Sequence, residues 1–508
     1  MTPISRPLSA RPVLAWATAA MAAVLLAGCA AGPGFRAPAA PEGQAIVATA
    51  LPLQTVSAAT ALGQAQQFTS GMDLSAPWWQ QLGSPALDAL IDQALAASPT
   101  LAGAEATLRQ AQQLQAAQAG ATQLPRVDAT AGAGRQRISP SAQGLPGEGR
   151  TFNQYSASIG VRYTLDLAGG NRRALEALSA RTDYQRYQLQ AARLNLAASI
   201  AQTAITQARL AAQIGALQDI VEAQQAQWQL AGERLRLGQA AHSEVLALQA
   251  PLEQARAGLP LLRQQHQQSR HLLATLAGLA PGAPAAQVLP WFTLDSFQLP
   301  GALPLTIASE LVRQRPDIQG AQALLHAASS EYGVAVARLY PQINLSAQLG
   351  TQALSTGALF GGSAAVWGLL GQITQPLFNA ALPAEKRAAL AALDAAAAHY
   401  QSVVLDALRS VADALHRVDN DARVLSALAA ADAAAQGSLQ SVQQQYAFGA
   451  ASYVQLLLAQ QQAQQGRSDL AAAQAQRLQG SAALFQAVGA GWAGTPEGVA
   501  FVQSEKGL

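Results

Sequence analysis

Cysteine is almost missing from this 508-residue chain: Cys29 stands alone, which excludes a disulfide framework and any cysteine-built zinc site. Histidine is scarce as well. Six are spread from His242 to His416 and none forms a His-x-x-x-His or comparable ligand pair, so neither a metal nor another cofactor is expected. Charged residues are 12% and the net charge is +2, which leaves no electrostatic footprint for nucleic acid. Aromatics, at 5%, are too few for the core of a soluble enzyme of this length. No nucleophile elbow, phosphate loop or paired-carboxylate motif occurs, so no catalytic residues are expected and the chain is not read as an enzyme. What is plentiful is alanine, glutamine and leucine, a mix that suits close-packed helices with narrow seams.

The N-terminus reads as a targeting segment. Arg6 and Arg11 supply a positive start, Val13 to Ala27 an apolar run of 15 residues, and Leu26-Ala27-Gly28-Cys29 a small-residue cleavage site. A spanning helix needs roughly 20 apolar residues, so the run is short for one. The Leu-Ala-Gly-Cys string resembles a bacterial lipobox, which implies cleavage after residue 28 and a covalent lipid on Cys29. An ordinary signal peptide with a buried thiol is the alternative. Two or more acyl chains give stable membrane attachment. Ala30 is not the aspartate associated with retention at the inner membrane, which favours the outer membrane. Residues 29–65 then form a Pro/Gly/Ala-rich linker, and Ser84-Pro85 opens the first helix. Trp78-Trp79 could anchor that helix or form an interfacial pair; the buried reading is preferred.

The chain says nearly the same thing twice, about 210 residues apart. A helix runs into Leu124-Pro125-Arg126-Val127 in one copy and into Tyr340-Pro341-Gln342-Ile343 in the other. Period-two alternation follows in each. Tyr155, Ala157, Ile159, Val161 and Tyr163 alternate with polar or small neighbours, as do Ile343, Leu345, Ala347 and Leu349. The expected strands lie at about 125–136, 154–165, 341–350 and 366–375. Alternation alone fits a soluble hairpin with one buried face. The lipobox, and Tyr155, Tyr163, Tyr340 and Trp367 near strand ends in the manner of an aromatic girdle, shift the reading to membrane strands. Four strands cannot close a barrel, and lipid does not tolerate open edges. The barrel must then be shared between chains, and three chains giving twelve strands leave room for a lumen.

Asn171 to Leu235 runs 65 residues without proline, a helix of about 98 Å, and Pro383 to Tyr446 predicts a second of about 96 Å. Each ends at a glycine, Gly238 and Gly449, and a return helix follows. Pro251 and Pro260 are expected to kink or break the first return. The resulting division is a signal peptide at 1–28, the linker at 29–65, a first repeat at 66–280, an inter-repeat segment at 281–304, a second repeat at 305–492 and a tail at 493–508.

These pieces carry a family resemblance. The lipobox, Gly32-Pro33 with Phe35-Arg36-Ala37-Pro38, Trp78-Trp79, Leu87-Asp88-Ala89-Leu90-Ile91, Tyr163-Thr164-Leu165-Asp166-Leu167, Arg315-Pro316-Asp317-Ile318 and Gly489-Ala490-Gly491-Trp492 occur in order. Together they resemble the bacterial outer membrane efflux proteins of the TolC type, in the lipid-anchored branch that works with resistance-nodulation-division pumps. The resemblance implies an α+β membrane protein: a homotrimeric channel-tunnel with a shared 12-stranded transmembrane β-barrel, a long periplasmic α-helical barrel and a mixed equatorial region. It implies passive conduction of drugs, toxic compounds or metal ions, with a periplasmic adaptor and an inner-membrane pump as partners. Gly238 and Gly449 map onto the tips that adaptors grip. The gate positions that often carry aspartates in the family read Gln455 and Leu458. Glu244 and Tyr446 remain as polar gate candidates, with a solvated helix residue the plain alternative for Glu244. A type I secretion exit duct is the nearest alternative function, and a coiled-coil adaptor lipoprotein the alternative from another class.

Overall fold

The computed structural model describes residues 32–39, 52–140, 144, 146–305, 311–312 and 315–491. Cys29 and Trp492 lie outside them. The chain divides into two compact units, one of Met1–Pro38, Leu108–Gln185 and Ala321–Tyr400, the other of Ala39–Thr107, Arg186–Gly320 and Gln401–Leu508. Along the sequence come β1 (Gln67–Ser70), α1 (Pro85–Ala97), α2 (Pro99–Gln123), β2 (Arg126–Ile138), β3 (Arg150–Leu165), α3 (Gly170–Arg236) and α4 (His242–Leu276). Then follow β4 (Ala302–Leu305), α5 (Pro316–Ala337), β5 (Gln342–Ala353), β6 (Ala365–Thr374), α6 (Ala381–Ala447) and α7 (Tyr453–Ala487). The order helix, strand, strand, long helix, return helix occurs twice. Both long helices have 67 residues and both returns 35.

In the first unit, the four long strands form one antiparallel sheet in the order β2-β3-β5-β6. Cross-strand partners share a face, so the register sorts every side chain. Val127, Val161, Ala347 and Leu369 lie in one row, and Ala129, Ile159, Leu349 and Trp367 in the next. The other face carries Asp128, Ser158, Arg162, Asn344, Gln348 and Gln372, with Val366 and Leu370 as apolar exceptions. Trp367 is the third residue of β6, near its start, whereas Tyr155 is five residues inside β3 and does not mark a strand end. The strand-end placement is corrected for Tyr155. The strand end was misjudged because β3 continues its alternation through polar residues down to Arg150.

Residues 32–38 pack within the same unit. Arg173 on α3 donates to the Pro33 carbonyl (3.0 Å) and pairs with Glu176 (2.7 Å), while Phe35 stacks on His326 at 4.3 Å between ring centroids. Burial alone would raise the Glu176 carboxyl, but hydrogen bonds from His326 and Arg173 outweigh it and hold the group below its ordinary value.

The second unit has a denser core. Leu87, Leu90, Ile91 and Ala94 bury one face of α1, as helical spacing requires, and Trp78 and Trp79 are buried beside it. Trp78 stacks on Phe485 and stands edge-on to Trp79. The first helix does not run on to Gln123. It stops at Ser98, which is extended (ψ 121°) because Pro99 disfavours the helical conformation in the residue before it.

No break occurs in α4, which carries Pro251 and Pro260 inside one continuous helix. Each proline frees a carbonyl four residues back, and those carbonyls belong to exposed Ala247 and Arg256, where water can satisfy them. Leu248, Leu252 and Leu259 meanwhile keep the buried stripe in phase across both prolines. A parallel pairing of β1 with β4 was invisible in the sequence: each strand has four residues, and β4 includes Pro304.

Candidate functional site

Two places carry chemistry suited to a duct, the sheet in one unit and the helical tips in the other. On the sheet, Arg162 pairs with Asp128 at 3.0 Å, Thr130 meets Ser158 at 2.9 Å, and Thr164 donates to Asn344 at 2.7 Å, all on the polar face. The opposite face is apolar and uncovered, with Trp367 77% and Leu349 66% exposed. From Tyr155 to Leu165 this band is about 33 Å along β3, or about 25 Å when the strand tilts as it does in a membrane barrel. That is the height of a lipid-facing band. In water such a face would be an aggregation surface.

Both long helices end in the same kind of turn. Gly238 has φ 70° and Gly449 φ 76°, a left-handed conformation open to glycine at no steric cost. The Gly238 N–H donates to the Leu235 carbonyl (2.9 Å) and the Gln239 N–H to that of Arg234 (2.8 Å). Gly449 and Ala450 repeat the pattern on Tyr446 and Gln445 (3.0 and 2.8 Å), so both long helices end in a Schellman turn. Leu237 and Phe448, each just before its glycine, are exposed.

The structure separates the sequence-derived gate candidates. Gln455 is engaged in a capping box: its side chain accepts from the Ser452 N–H (2.7 Å), and its own N–H donates to Ser452 Oγ (3.3 Å). Leu458 is half-exposed on α7. Glu244 lies 3.7 Å from Arg234. Tyr446 stands edge-on to Tyr453 at 6.3 Å. Burial, together with Tyr446 and Glu244 nearby, pushes the Tyr453 hydroxyl up to about 12, so it remains a proton donor at any physiological pH. Tyr453 and Arg234 were missed in the sequence; their position next to the aligned tip segments was the available signal. Among the described residues, no three of His, Cys, Asp and Glu group as metal ligands.

An uncovered apolar strand face of membrane height, with paired helical hairpins of about 100 Å on the same chain, defines the class of ducts that cross the outer membrane. The chain belongs to the outer membrane efflux protein family, whose model matches residues 90–279 and 307–490. It is 31% identical over 427 residues to the pyoverdine export outer membrane protein OpmQ of Pseudomonas putida, covering 82% of this chain and 88% of that one. It is 29% identical over 482 residues to the antibiotic efflux pump outer membrane protein ArpC of Pseudomonas putida, covering 93% and 95% of the two chains. Among solved structures, the outer-membrane channel OprN matches with a TM-score of 0.82 at 26% identity, over 91% of this chain and 100% of that one. The protein is thus an outer membrane efflux channel, in a family of ducts rather than enzymes. The secretion-duct and adaptor alternatives are not favoured.

Proposed function

We propose that three copies of this chain close a twelve-stranded barrel and a helical tunnel that passively conducts small molecules from an inner-membrane pump to the exterior. The observation that carries this reading is the open sheet: β2 and β6 are edge strands within the chain, and the apolar face has no cover. Both edges need partners in lipid, and neighbouring copies supply them. Twelve strands leave a lumen lined by the hydroxyls and amides of the polar face. Leu390, Leu405 and Val424, exposed on α6, offer apolar surface for the contact between copies.

In this reading the two repeats, 66–280 and 305–492, descend from one duplicated unit, and the lipid on Cys29 anchors the chain. The tips at Gly238 and Gly449 meet a periplasmic adaptor, and exposed Leu237 and Phe448 give it an apolar handhold. Glu244, Tyr446, Gln455 and Leu458 form the constriction, joined by Tyr453 and Arg234. The pump, of the resistance-nodulation-division class, supplies the energy and selects the cargo. The named relatives export cargoes as different as pyoverdine and antibiotics, so drugs, toxic compounds and metal ions all remain within the substrate class.

Native mass spectrometry and planar bilayers test the proposal together. The purified protein is expected at the mass of three chains, with long-lived ion conductance. A monomer that inserts without conducting would overturn it.

A further inference from the structure

We propose that Arg135 and Arg137 on β2 bind the phosphate groups of outer-leaflet lipid, holding the barrel at a fixed depth. The inference rests on the channel reading above, and it concerns only the outward face of the sheet.

Register places both arginines on the face of Val127, Ala129, Ala131 and Ala133, the face that meets lipid in a closed barrel. They are the next two positions on that face after the apolar run ends at Ala133, where Tyr155 is the cross-strand partner. Beyond it, Arg135 faces Asn153 and Arg137 faces Thr151, so the surface changes there from hydrocarbon-like to polar and cationic. The end is fixed by connectivity. Helices join all four strands at their Arg126, Leu165, Gln342 and Thr374 ends, which leaves the Ile138, Arg150, Ala353 and Ala365 ends on the far side of the membrane.

No carboxylate on that face of the strands balances the pair. The four strands contain a single carboxylate, Asp128, on the opposite face and at the opposite end. Glu148 is the only acid in segment 139–149, and segment 354–364 has no charge. Both arginines are exposed, and no ion pair joins either to a carboxylate among the described residues. Residues two apart on a strand face are about 7 Å from each other, which lets two guanidinium forks engage one phosphate or two adjacent ones. Guanidinium suits this role because it is always charged and binds phosphate bidentately.

The test uses the full-length protein in detergent with three probes: bisphosphorylated lipid A, the same lipid after phosphate removal, and inorganic phosphate. Retention of lipid is read by native mass spectrometry, with a thermal shift as second readout. The wild type is expected to retain the phosphorylated lipid and to lose it when the phosphates are removed. Arg135→Gln with Arg137→Gln should weaken retention by roughly tenfold, in keeping with the loss of charge-assisted hydrogen bonds. Arg126→Gln, on the other face, should leave it unchanged. Should the double glutamine variant fold poorly, Arg135→Lys with Arg137→Lys keeps the charge and should retain lipid more weakly than wild type. Retention that ignores the phosphates, or that survives the double glutamine variant in folded protein, overturns the proposal. An equal thermal shift from millimolar inorganic phosphate overturns it too, since the site would then read a free anion. Conductance of the same preparation separates the two ideas: a conducting channel that ignores lipid phosphate sinks this inference alone, whereas a non-conducting one sinks the channel reading beneath it.

Discussion

Arg477 and Asp421 place two ionisable groups side by side inside the helical core. Arg477 on α7 is fully buried and donates to Thr55 Oγ1 (3.1 Å), Gln66 Oε1 (3.4 Å) and the carbonyls of Leu62 (3.3 Å) and Gln64 (2.5 Å). It thereby ties residues 55–66 to a helix more than 400 positions away, satisfying carbonyls that burial would otherwise orphan. Asp421 sits nearby with its side chain only 12% exposed. Burial pushes its carboxyl up to about 6, and the guanidiniums of Arg417 and Arg477 pull it back only in part. Since the folded value exceeds the ordinary 3.8, the folded chain keeps a proton that the unfolded chain releases between about pH 4 and 6. Stability from this group is therefore greatest below that window, falls as pH rises through it, and is level above. Asp421→Asn is expected to flatten that slope and to melt a few degrees above wild type at pH 7, with the difference closing near pH 4. Thermal melts across pH 4 to 7.5 check it, and a variant whose slope matches wild type would count against the assignment. None of this could be read from the sequence, where Arg477 is one cation in an alanine and glutamine helix. By contrast, Arg315-Pro316-Asp317 could be noticed but not explained. The fold shows Arg315 clamping Asp317 through two nitrogens (3.0 and 2.7 Å) while it donates to the Ala487 carbonyl (2.7 Å) and Ser410 (2.8 Å).

At the scale of elements, the two tips share a Schellman turn but differ in how the return helix begins. Ser452 caps α7 with a reciprocal Gln455 bond, whereas Ala241 at the start of α4 has no side chain to offer. Glu244 already stands three residues on, at the place Gln455 takes in the second tip. Ala241→Ser should therefore complete a capping box and stabilise the first tip by about 0.5–1 kcal/mol, while Ser452→Ala should cost the second about 1 kcal/mol. Hydrogen exchange of the amides just after each turn measures both, with slower exchange expected in the first variant and faster in the second. Unchanged exchange in Ala241→Ser would show that Glu244 stays with Arg234 instead. Long periodic helices and glycine turns were readable because each announces itself over many residues or through one permissive residue. The fate of the prolines in α4 was not. It depends on which freed carbonyls face water and on leucines that keep their phase, and both are set by tertiary packing. The same holds for the break at Ser98, where Pro99 was in plain view but the apolar spacing ran past it.

For the molecule as a whole, the proposed lipid on Cys29 and the apolar sheet face are expected to be separable means of staying in the membrane. Cys29 lies outside the described residues, but Gly32 is three residues away, and that tether spans at most about 10 Å. Residues 32–35 are held by protein contacts: the Pro33 carbonyl accepts from Arg173, Phe35 stacks on His326, and Gly32 packs so closely on Gly333 that a Cβ would fall 2.9 Å from its Cα. A lipid on Cys29 is therefore not expected to be needed to seat this segment, and in the proposed barrel the apolar strand face has its own hold on the bilayer. Cys29→Ser should abolish labelling by radioactive palmitate. When the same variant is exported behind an ordinary cleavable signal peptide, it should still reach the outer membrane and assemble as three chains. Persistent labelling would refute the lipobox, and failure of the exported variant to assemble would refute the separability of anchor and sheet. The sequence carried the first half of this argument, because a lipobox is a local string. The second half needed the fold, since a glycine pair 301 positions apart and an aromatic stack across a similar interval have no trace in composition or period.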